Sequence, residues 1–516
     1  MLVNDKLLIG KNEEREIYLL PGMANRHGLI TGASGSGKTI TLKVMAESFS
    51  DAGIPVFLSD VKGDLAGTSQ VGDYEKIAGR VEKMELENFD VKSFPVRFWD
   101  LYGVKGHPIR AKVEDIGPNI LSIMLGLNET QEGILNIAFR VAKDENLPLI
   151  DLKDLRSILT YVADNRKDYI TKYGNITPQS VGGIQRSLIT LENQGIDNFF
   201  GEPSLNIFDF INLTYDGKGV VNILDSTELF KSPDLYASFM LWLLTELFNK
   251  LPEVGDLDKP KIVFFFDEAH LLFNGMPAYR LKQITQVVKL IRSRGIGLYF
   301  ISQAPTDIPG DISAQLGNRV QHTLRAYTPA DQKIVKAAAD AFRINPKFNT
   351  ETAILELGTG EALVSFQTEE GIPDIVEKVK ILPPQSMMGS IDDITRNKVI
   401  NSSPYVGKYD EKVESDSAFE IVNEKNAQVE AEKQAAIEAK EQEKLAKEQA
   451  KEEEKLAKEA EKKAKEEARE AEKAKKEAER KAKNNPVNKL ERKIANRAAD
   501  KVINRGLNKL LNKLWK

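Results

Sequence analysis

No cysteine occurs anywhere in the 516 residues, which excludes disulfides and thiolate metal sites. Histidine is nearly as scarce, and His27, His107, His270 and His322 are too scattered to suggest a zinc site by spacing. Long apolar runs are missing too. The longest strongly apolar stretch, residues 239–244, falls far short of the roughly 20 residues that a membrane helix needs. Residues 1–15 carry charges throughout and lack the apolar run and small-residue cleavage site of a secretory signal. Together these absences predict a cytoplasmic chain without a membrane span or a structural metal.

Positive charge is short over most of the sequence. The formal net charge is −5, but residues 424–483 balance 18 acids with 18 bases, and residues 484–516 hold nine bases against two acids. Residues 1–423 therefore carry a net −12. An acidic surface of that kind disfavours broad adhesion to nucleic acid, although a basic pore or loop inside an acidic shell is compatible with it.

At 516 residues the chain exceeds what one hydrophobic core usually organises, so more than one unit is expected. Up to about Pro384, short β-branched apolar runs alternate with longer helical patterns, the mark of a mostly parallel α/β sheet flanked by helices. The strand candidates are 27–31, 55–60, 96–100, 219–225, 261–267, 297–302, 320–326 and 362–366. Between 107 and 212 the strand signal gives way to helical spacing, as in Leu152, Leu155, Ile158 and Leu159, which predicts an all-helical insertion. The expected order is then 1–106 and 213–400 as two parts of one domain around the insertion 107–212, a polar linker at 401–423, a Glu/Lys/Ala helix at 424–484, and a basic amphipathic helix at 485–516.

The Glu/Lys/Ala segment places Glu four residues before Lys at 443–447, 454–458, 461–465 and 472–476, and each such pair supports a helix by a few tenths of a kcal/mol. Val429, Ile437, Leu445 and Leu456 are too sparse for a heptad seam, which favours a solvated single helix of roughly 90 Å over a coiled coil. In the last segment Ile503, Leu507, Leu510, Leu511 and Leu514 share a face ringed by Lys501, Arg505, Lys509 and Lys513. That pattern suits a protein partner, an anionic membrane surface or nucleic acid.

The chemistry concentrates in two places. Gly32-Ala33-Ser34-Gly35-Ser36-Gly37-Lys38-Thr39 fits the phosphate-loop pattern G-x-x-x-x-G-K-[ST], with Ile40 completing the contact stretch. Glycines let successive N–H groups face phosphate oxygens, Lys38 reaches the β- and γ-phosphates, and Thr39 offers a hydroxyl to Mg2+. Far downstream, Lys261 is followed by an unbroken apolar run, residues 262–266, that ends in Asp267 and Glu268. Carboxylates at the carboxyl end of a doubly buried strand emerge where open parallel sheets bind ligands. Asp267 is the expected Mg2+ partner through water, and Glu268 the base that activates the attacking water. A third strand, 297–302, ends at Gln303, whose amide can bond both the γ-phosphate and that water. The stretch Asp60-Val61-Lys62-Gly63-Asp64 follows the second strand and can line the same edge. The expected substrate is ATP, with Mg2+ as cofactor.

Residues 21–32 leading into the phosphate loop, 60–65, Phe266-Asp267-Glu268-Ala269-His270, Ser302-Gln303-Ala304-Pro305 and 315–322 together resemble bacterial HerA-like ATPases, a branch of the HerA–FtsK class. The resemblance covers about 7–384. It implies a RecA-like sheet with a helical insertion, a hexameric ring as homo-oligomer, nucleotide bound between subunits, and an arginine from one subunit completing its neighbour's site. Arg319 and Arg325 lie where the family places such groups, and Arg292 and Arg294 are weaker candidates. Two departures stand out: only 31 residues precede the phosphate loop, leaving no room for the small barrel of DNA-translocating members, and Ala304 stands where relatives commonly have arginine. Two functions stay open on these grounds. One is a DNA translocase or helicase-like motor. The other is an ATPase that remodels or gates a protein or membrane-associated assembly.

Overall fold

A computed structural model describes residues 1–255 and 257–483. The amphipathic segment expected at 485–516 lies outside the described residues. The chain divides into a unit spanning 1–424 and a second beginning at 425.

Along the first unit run β1 (Leu2–Val3), β2 (Lys6–Lys11), β3 (Glu16–Leu19), β4 (Gly28–Thr31), β5 (Val56–Asp60), β6 (Val96–Asp100), β7 (His107–Pro108), β8 (Val221–Asp225), β9 (Ile262–Phe266), β10 (Ile296–Ser302), β11 (Asn318–Gln321), β12 (Glu361–Ser365) and β13 (Glu377–Ile381). They join one sheet in the order β1-β2-β13-β12-β11-β4-β10-β9-β5-β8-β6-β7, with β3 added on β2. From β11 to β7 every pairing is parallel, and β12, β13, β2 and β1 extend the sheet antiparallel. The phosphate-loop strand β4 and the acidic strand β9 are thus not neighbours, because β10 lies between them. This is the mostly parallel α/β sheet that the sequence predicts.

The central strands read as continuous apolar runs because both of their faces are covered. Ile262, Phe264 and Phe266 of β9 face one core, with Leu29, Phe57, Leu298 and Phe300. Val263 and Phe265 face the other, with Ile30, Val56, Leu58, Tyr299 and Ile301. That alternation is the two-residue period of a strand, and each phenylalanine so buried contributes about 1.5–3 kcal/mol. The helix Lys38–Asp51 covers the second face, while the helix Pro233–Lys250 and the helices after β7 share the first. His27 staples β4 into place. Its Nε2 donates to the Val288 carbonyl at 2.9 Å and its Nδ1 accepts the Leu298 N–H at 3.1 Å, so the ring is neutral, and burial pushes its pKa down to about 4.

Between β7 and β8 five α-helices stack on the sheet: Val113–Met124, Glu129–Asp144, Leu152–Asp164, Arg166–Tyr173 and Pro178–Glu192. Asn128, Asp151 and Thr177 cap three of them by accepting backbone N–H bonds at their amino ends.

Two sequence expectations need correction. Strands β1, β2, β3, β7 and β13 are absent from the eight expected stretches, because they are two residues long or interrupted by charge or glycine, as in KLLIGK and EKVKI. The stretch 401–423 is no loose linker. Tyr405 and Tyr409 pack on Trp99 at centroid distances of 5.4 and 5.7 Å, and helix begins at Ala418, whose N–H donates to the Pro148 carbonyl at 2.9 Å. Two tyrosines among polar neighbours carry no periodic signal, yet burying their rings offsets the cost of ordering the segment.

In the second unit the described residues 425–483 are helical throughout. Ion pairs close at Glu443–Lys447, Glu454–Lys458, Glu461–Lys465 and Glu472–Lys476, with N···O distances of 2.5, 2.6, 2.6 and 2.9 Å. Val429, Ile437, Leu445 and Leu456 are all exposed.

Candidate active site

Strand β4 delivers the chain to the carboxyl edge of the sheet, and residues 32–37 turn there before the helix Lys38–Asp51 starts. The turn depends on glycine. Gly32 has φ +154°, and a Cβ there would lie 2.5 Å from His322 Cβ and 2.8 Å from Ser36 Oγ. Gly37 has φ +116° and sits against Gly360, where an added Cβ would come within 3.2 Å of backbone. The loop is tied down on both sides: Ala33 N–H donates to the Thr323 carbonyl at 2.8 Å, and Gly360 N–H to the Ser36 carbonyl at 3.0 Å. Ser34 and Gly35 stay exposed.

Lys38 Nζ folds back on its own loop and donates to the carbonyls of Gly32 at 2.5 Å and Ala33 at 3.1 Å. Burial lowers its pKa, against the opposing pull of Glu268 and Asp267. Those two carboxylates come from the end of β9, more than two hundred residues away in sequence. Asp267 is pushed up to about 6 by burial first and by the neighbouring Glu268 second. Its Oδ1 accepts the Glu268 N–H at 2.9 Å, which turns the backbone at Glu268 into the left-handed region, φ +48°. Tyr236 holds the same corner from below, its hydroxyl donating to the Asp267 carbonyl at 2.7 Å and meeting Ser59 Oγ at 2.8 Å.

Register aligns the third element. Ser302 of β10 pairs with Thr31 of β4, and Phe300 pairs with Phe266 of β9. Gln303 therefore stands level with Gly32, on the strand between the phosphate loop and the carboxylates, and its side chain is exposed. Asp307 braces the turn beyond it by accepting from Ser302 Oγ at 2.6 Å and Ala304 N–H at 2.9 Å.

Aspartate alone does not mark the site. Strands β5, β8 and β6 also end on aspartates, yet each of those is occupied structurally. Asp60 accepts the N–H groups of Gly63, Asp64 and Leu65 at 2.7–3.1 Å, and Asp100 those of Tyr102, Val104 and Lys105 at 2.9–3.0 Å. Asp225 accepts from Thr227 Oγ1 at 2.6 Å and lies 3.3 Å from Arg396. Asp267 takes one internal bond and remains available.

His322 is the residue that sequence reading gave no role. A backbone carbonyl can only accept, so Nδ1 must donate to the Glu361 carbonyl at 2.8 Å. Nε2 then accepts from Thr41 Oγ1 at 2.8 Å, which clamps the first turn of the phosphate-loop helix to the sheet. Burial holds this histidine at a pKa of about 4, hence neutral. Its signal was a lone histidine at a strand end, indistinguishable in sequence from an ordinary core residue.

The donor set fits a magnesium-bound triphosphate. Ser36 Oγ is buried and has no partner among the described residues, as expected of a hydroxyl waiting for a phosphate oxygen. A family model described as "Helicase HerA-like C-terminal" matches residues 5–509. The chain belongs to this HerA-like helicase family. The DNA double-strand break repair helicase HerA of Saccharolobus solfataricus is 22% identical over 362 residues, 69% of this chain and 64% of that protein. The protein of the same description from Sulfolobus acidocaldarius is 23% identical over 368 residues, 69% of this chain and 65% of the other. The HerA-like chain thus spans less than two thirds of the length of these relatives. Among solved structures, VirB4 of Thermoanaerobacter pseudethanolicus superposes with a TM-score of 0.47 at 14% identity, covering 74% of this chain and 98% of the other.

The arginines of the HerA-like chain fall into distinct settings. Arg319, on β11, donates to the Ser313 carbonyl at 2.9 Å and to its hydroxyl at 3.4 Å, within the same chain. Arg325, four residues past β11, is exposed and has no partner among the described residues. Arg294 bonds the Leu251 carbonyl and stacks 4.4 Å over the Phe248 ring, and Arg292 belongs to the same short 3-10 turn.

Proposed function

We propose that this chain hydrolyses ATP with Mg2+ and acts as a ring-forming DNA translocase or helicase-like motor. The observation that carries the hydrolase reading is convergence: Lys38, Asp267 and Glu268 meet electrostatically at one sheet edge, with Gln303 on the strand between them. In this reading residues 32–40 cradle the phosphates, and Thr39 and Asp267 hold the metal. When bound, Mg2+ would supply positive charge that offsets the charge developing on the phosphate chain. Glu268 accepts a proton from water as the water oxygen bonds the γ-phosphorus. The bond from that phosphorus to the bridging oxygen breaks, ADP leaves with the electron pair, and Gln303 orients the attacking water.

Ser34, Gly35 and Gln303 are open to solvent, so one chain leaves part of the triphosphate uncovered. A neighbouring subunit that contributes Arg325 would close it, and the exposed setting of Arg325 favours it over Arg319 for that role. The DNA reading rests on family membership and on the HerA relatives. A second reading, an ATPase acting on a protein or membrane-associated assembly, draws on the net −12 of residues 1–423, with the segment 485–516 as an anchor. ATP turnover with and without single- and double-stranded DNA separates the two. Stimulation by DNA is expected, and its absence together with no DNA binding at low salt removes the motor.

A further inference from the structure

The loop after β5 holds a cation that no step above uses. Strand β5 pairs with β9 through Val56–Val263, Phe57–Phe264 and Leu58–Phe265, so Asp60 comes level with Asp267 and the next residues overhang the carboxylate corner. The loop is rigidly built. Asp60 gathers the N–H groups of Gly63, Asp64 and Leu65, Gly63 turns with φ +77°, and the Asp60 carbonyl accepts the Ser226 N–H at 3.0 Å from the other flank. Asp60 is therefore spent on its own backbone, and the loop's outward group is Lys62. That lysine is exposed and has neither hydrogen bond nor ion pair among the described residues.

Sheet order makes the geometry specific. Lys38 approaches from β4 and Lys62 from β5, with β10 and β9 between them. Three strand spacings of about 4.8 Å separate the two origins by roughly 14 Å. Lysines rooted at those two positions flank the space above Gln303, Asp267 and Glu268, where the γ-phosphoryl group must lie if Lys38 holds the phosphates from the other side.

Resting on the ATPase reading above, we propose that Lys62 is a second catalytic cation of this site, contacting the γ-phosphoryl oxygens from the side opposite Lys38. It transfers no proton and forms no bond. It counters the charge on the departing phosphoryl group, and it distinguishes triphosphate from diphosphate because only the former reaches it.

The full chain carrying Lys62→Met tests this, with Lys62→Arg as the charge-preserving control and thermal midpoints confirming that both are folded. Affinities for Mg-ADP and for a non-hydrolysable ATP analogue are measured beside turnover in the absence of DNA. Lys62→Met is expected to keep ADP affinity within about twofold, to bind the ATP analogue about tenfold more weakly and to lower kcat by about 10- to 100-fold, with Lys62→Arg recovering most of the loss. Wild-type turnover and analogue affinity in Lys62→Met would overturn the assignment. So would equal losses for ADP and the analogue, or a defect seen only when DNA is added. If wild-type protein itself fails to hydrolyse ATP, the ATPase reading falls. If wild type is active and Lys62→Met matches it, only the role of Lys62 falls.

Discussion

Replacing His322 with leucine should destabilise the protein by an amount that shrinks as the pH falls. At pH 7.5 the change removes both ring bonds, leaving the fully buried Thr41 hydroxyl and the Glu361 carbonyl without partners. At about 1–3 kcal/mol for each orphaned group, with relief where water reaches the half-buried carbonyl, the loss is about 2–4 kcal/mol. In the wild type, His322 has a folded pKa of about 4 against 6.5 for the free group. The folded state thus binds this proton more weakly than the unfolded state, and stability is lost as pH drops through the window from 6.5 to 4. At pH 5 the unfolded histidine is almost wholly protonated and the folded one about a tenth so, which costs the wild type about 2 kcal/mol relative to pH 7.5. The leucine variant pays nothing of the kind. Chemical denaturation of both proteins at pH 7.5 and 5.0 should show the gap narrowing by about 2 kcal/mol. A constant gap, or none at pH 7.5, would refute the assignment of His322 as a neutral, doubly bonded clamp. The same substitution should weaken Mg-ATP binding, because Thr41 belongs to the first turns of the phosphate-loop helix.

Other outcomes follow from the same geometry. Glu268→Gln should retain ATP affinity while turnover drops about 10²- to 10⁴-fold in a steady-state assay, since an amide cannot take the proton. Arg325→Ala should abolish most turnover with little effect on thermal stability, and mixing it with Glu268→Gln should restore some activity if the arginine acts across a subunit boundary; Arg319→Ala should lower the thermal midpoint, because its guanidinium is bonded within the chain. A chain ending at residue 384 loses Tyr405, Tyr409, Ala418 and Val422 from the core and should be less stable by about 5 kcal/mol or more in chemical denaturation. Residues 425–483 as a peptide should sediment as a monomer while showing strong helical circular dichroism, since the apolar side chains there are exposed and too sparse to form a seam.

The sequence by itself determined the α/β class and pointed to the chemistry. The glycine and lysine spacing at 32–39 fits the phosphate-loop pattern, and apolar runs such as 262–266 can be satisfied only by burial on both faces. The Glu-to-Lys spacing of 443–476 likewise shows the helix in one dimension, because partners four residues apart meet on any helix. Local pattern did not reveal relations across the sheet. Four strand ends carry aspartate, and only the hydrogen bonds and ion pairs already made separate Asp267, with its single backbone N–H, from Asp60 and Asp100, with three each, and from Asp225, which also holds the Thr227 hydroxyl and faces Arg396. Tertiary structure also decided that β10 stands between the phosphate loop and the carboxylates, that His322 clamps Thr41, that Arg319 is bonded inside its own chain, and that Tyr405 and Tyr409 fasten a polar segment to Trp99. The physical reason is common to all of these. Periodicity and turn chemistry act between residues a few positions apart, whereas hydrogen-bond satisfaction and desolvation depend on which distant segments the sheet order sets side by side.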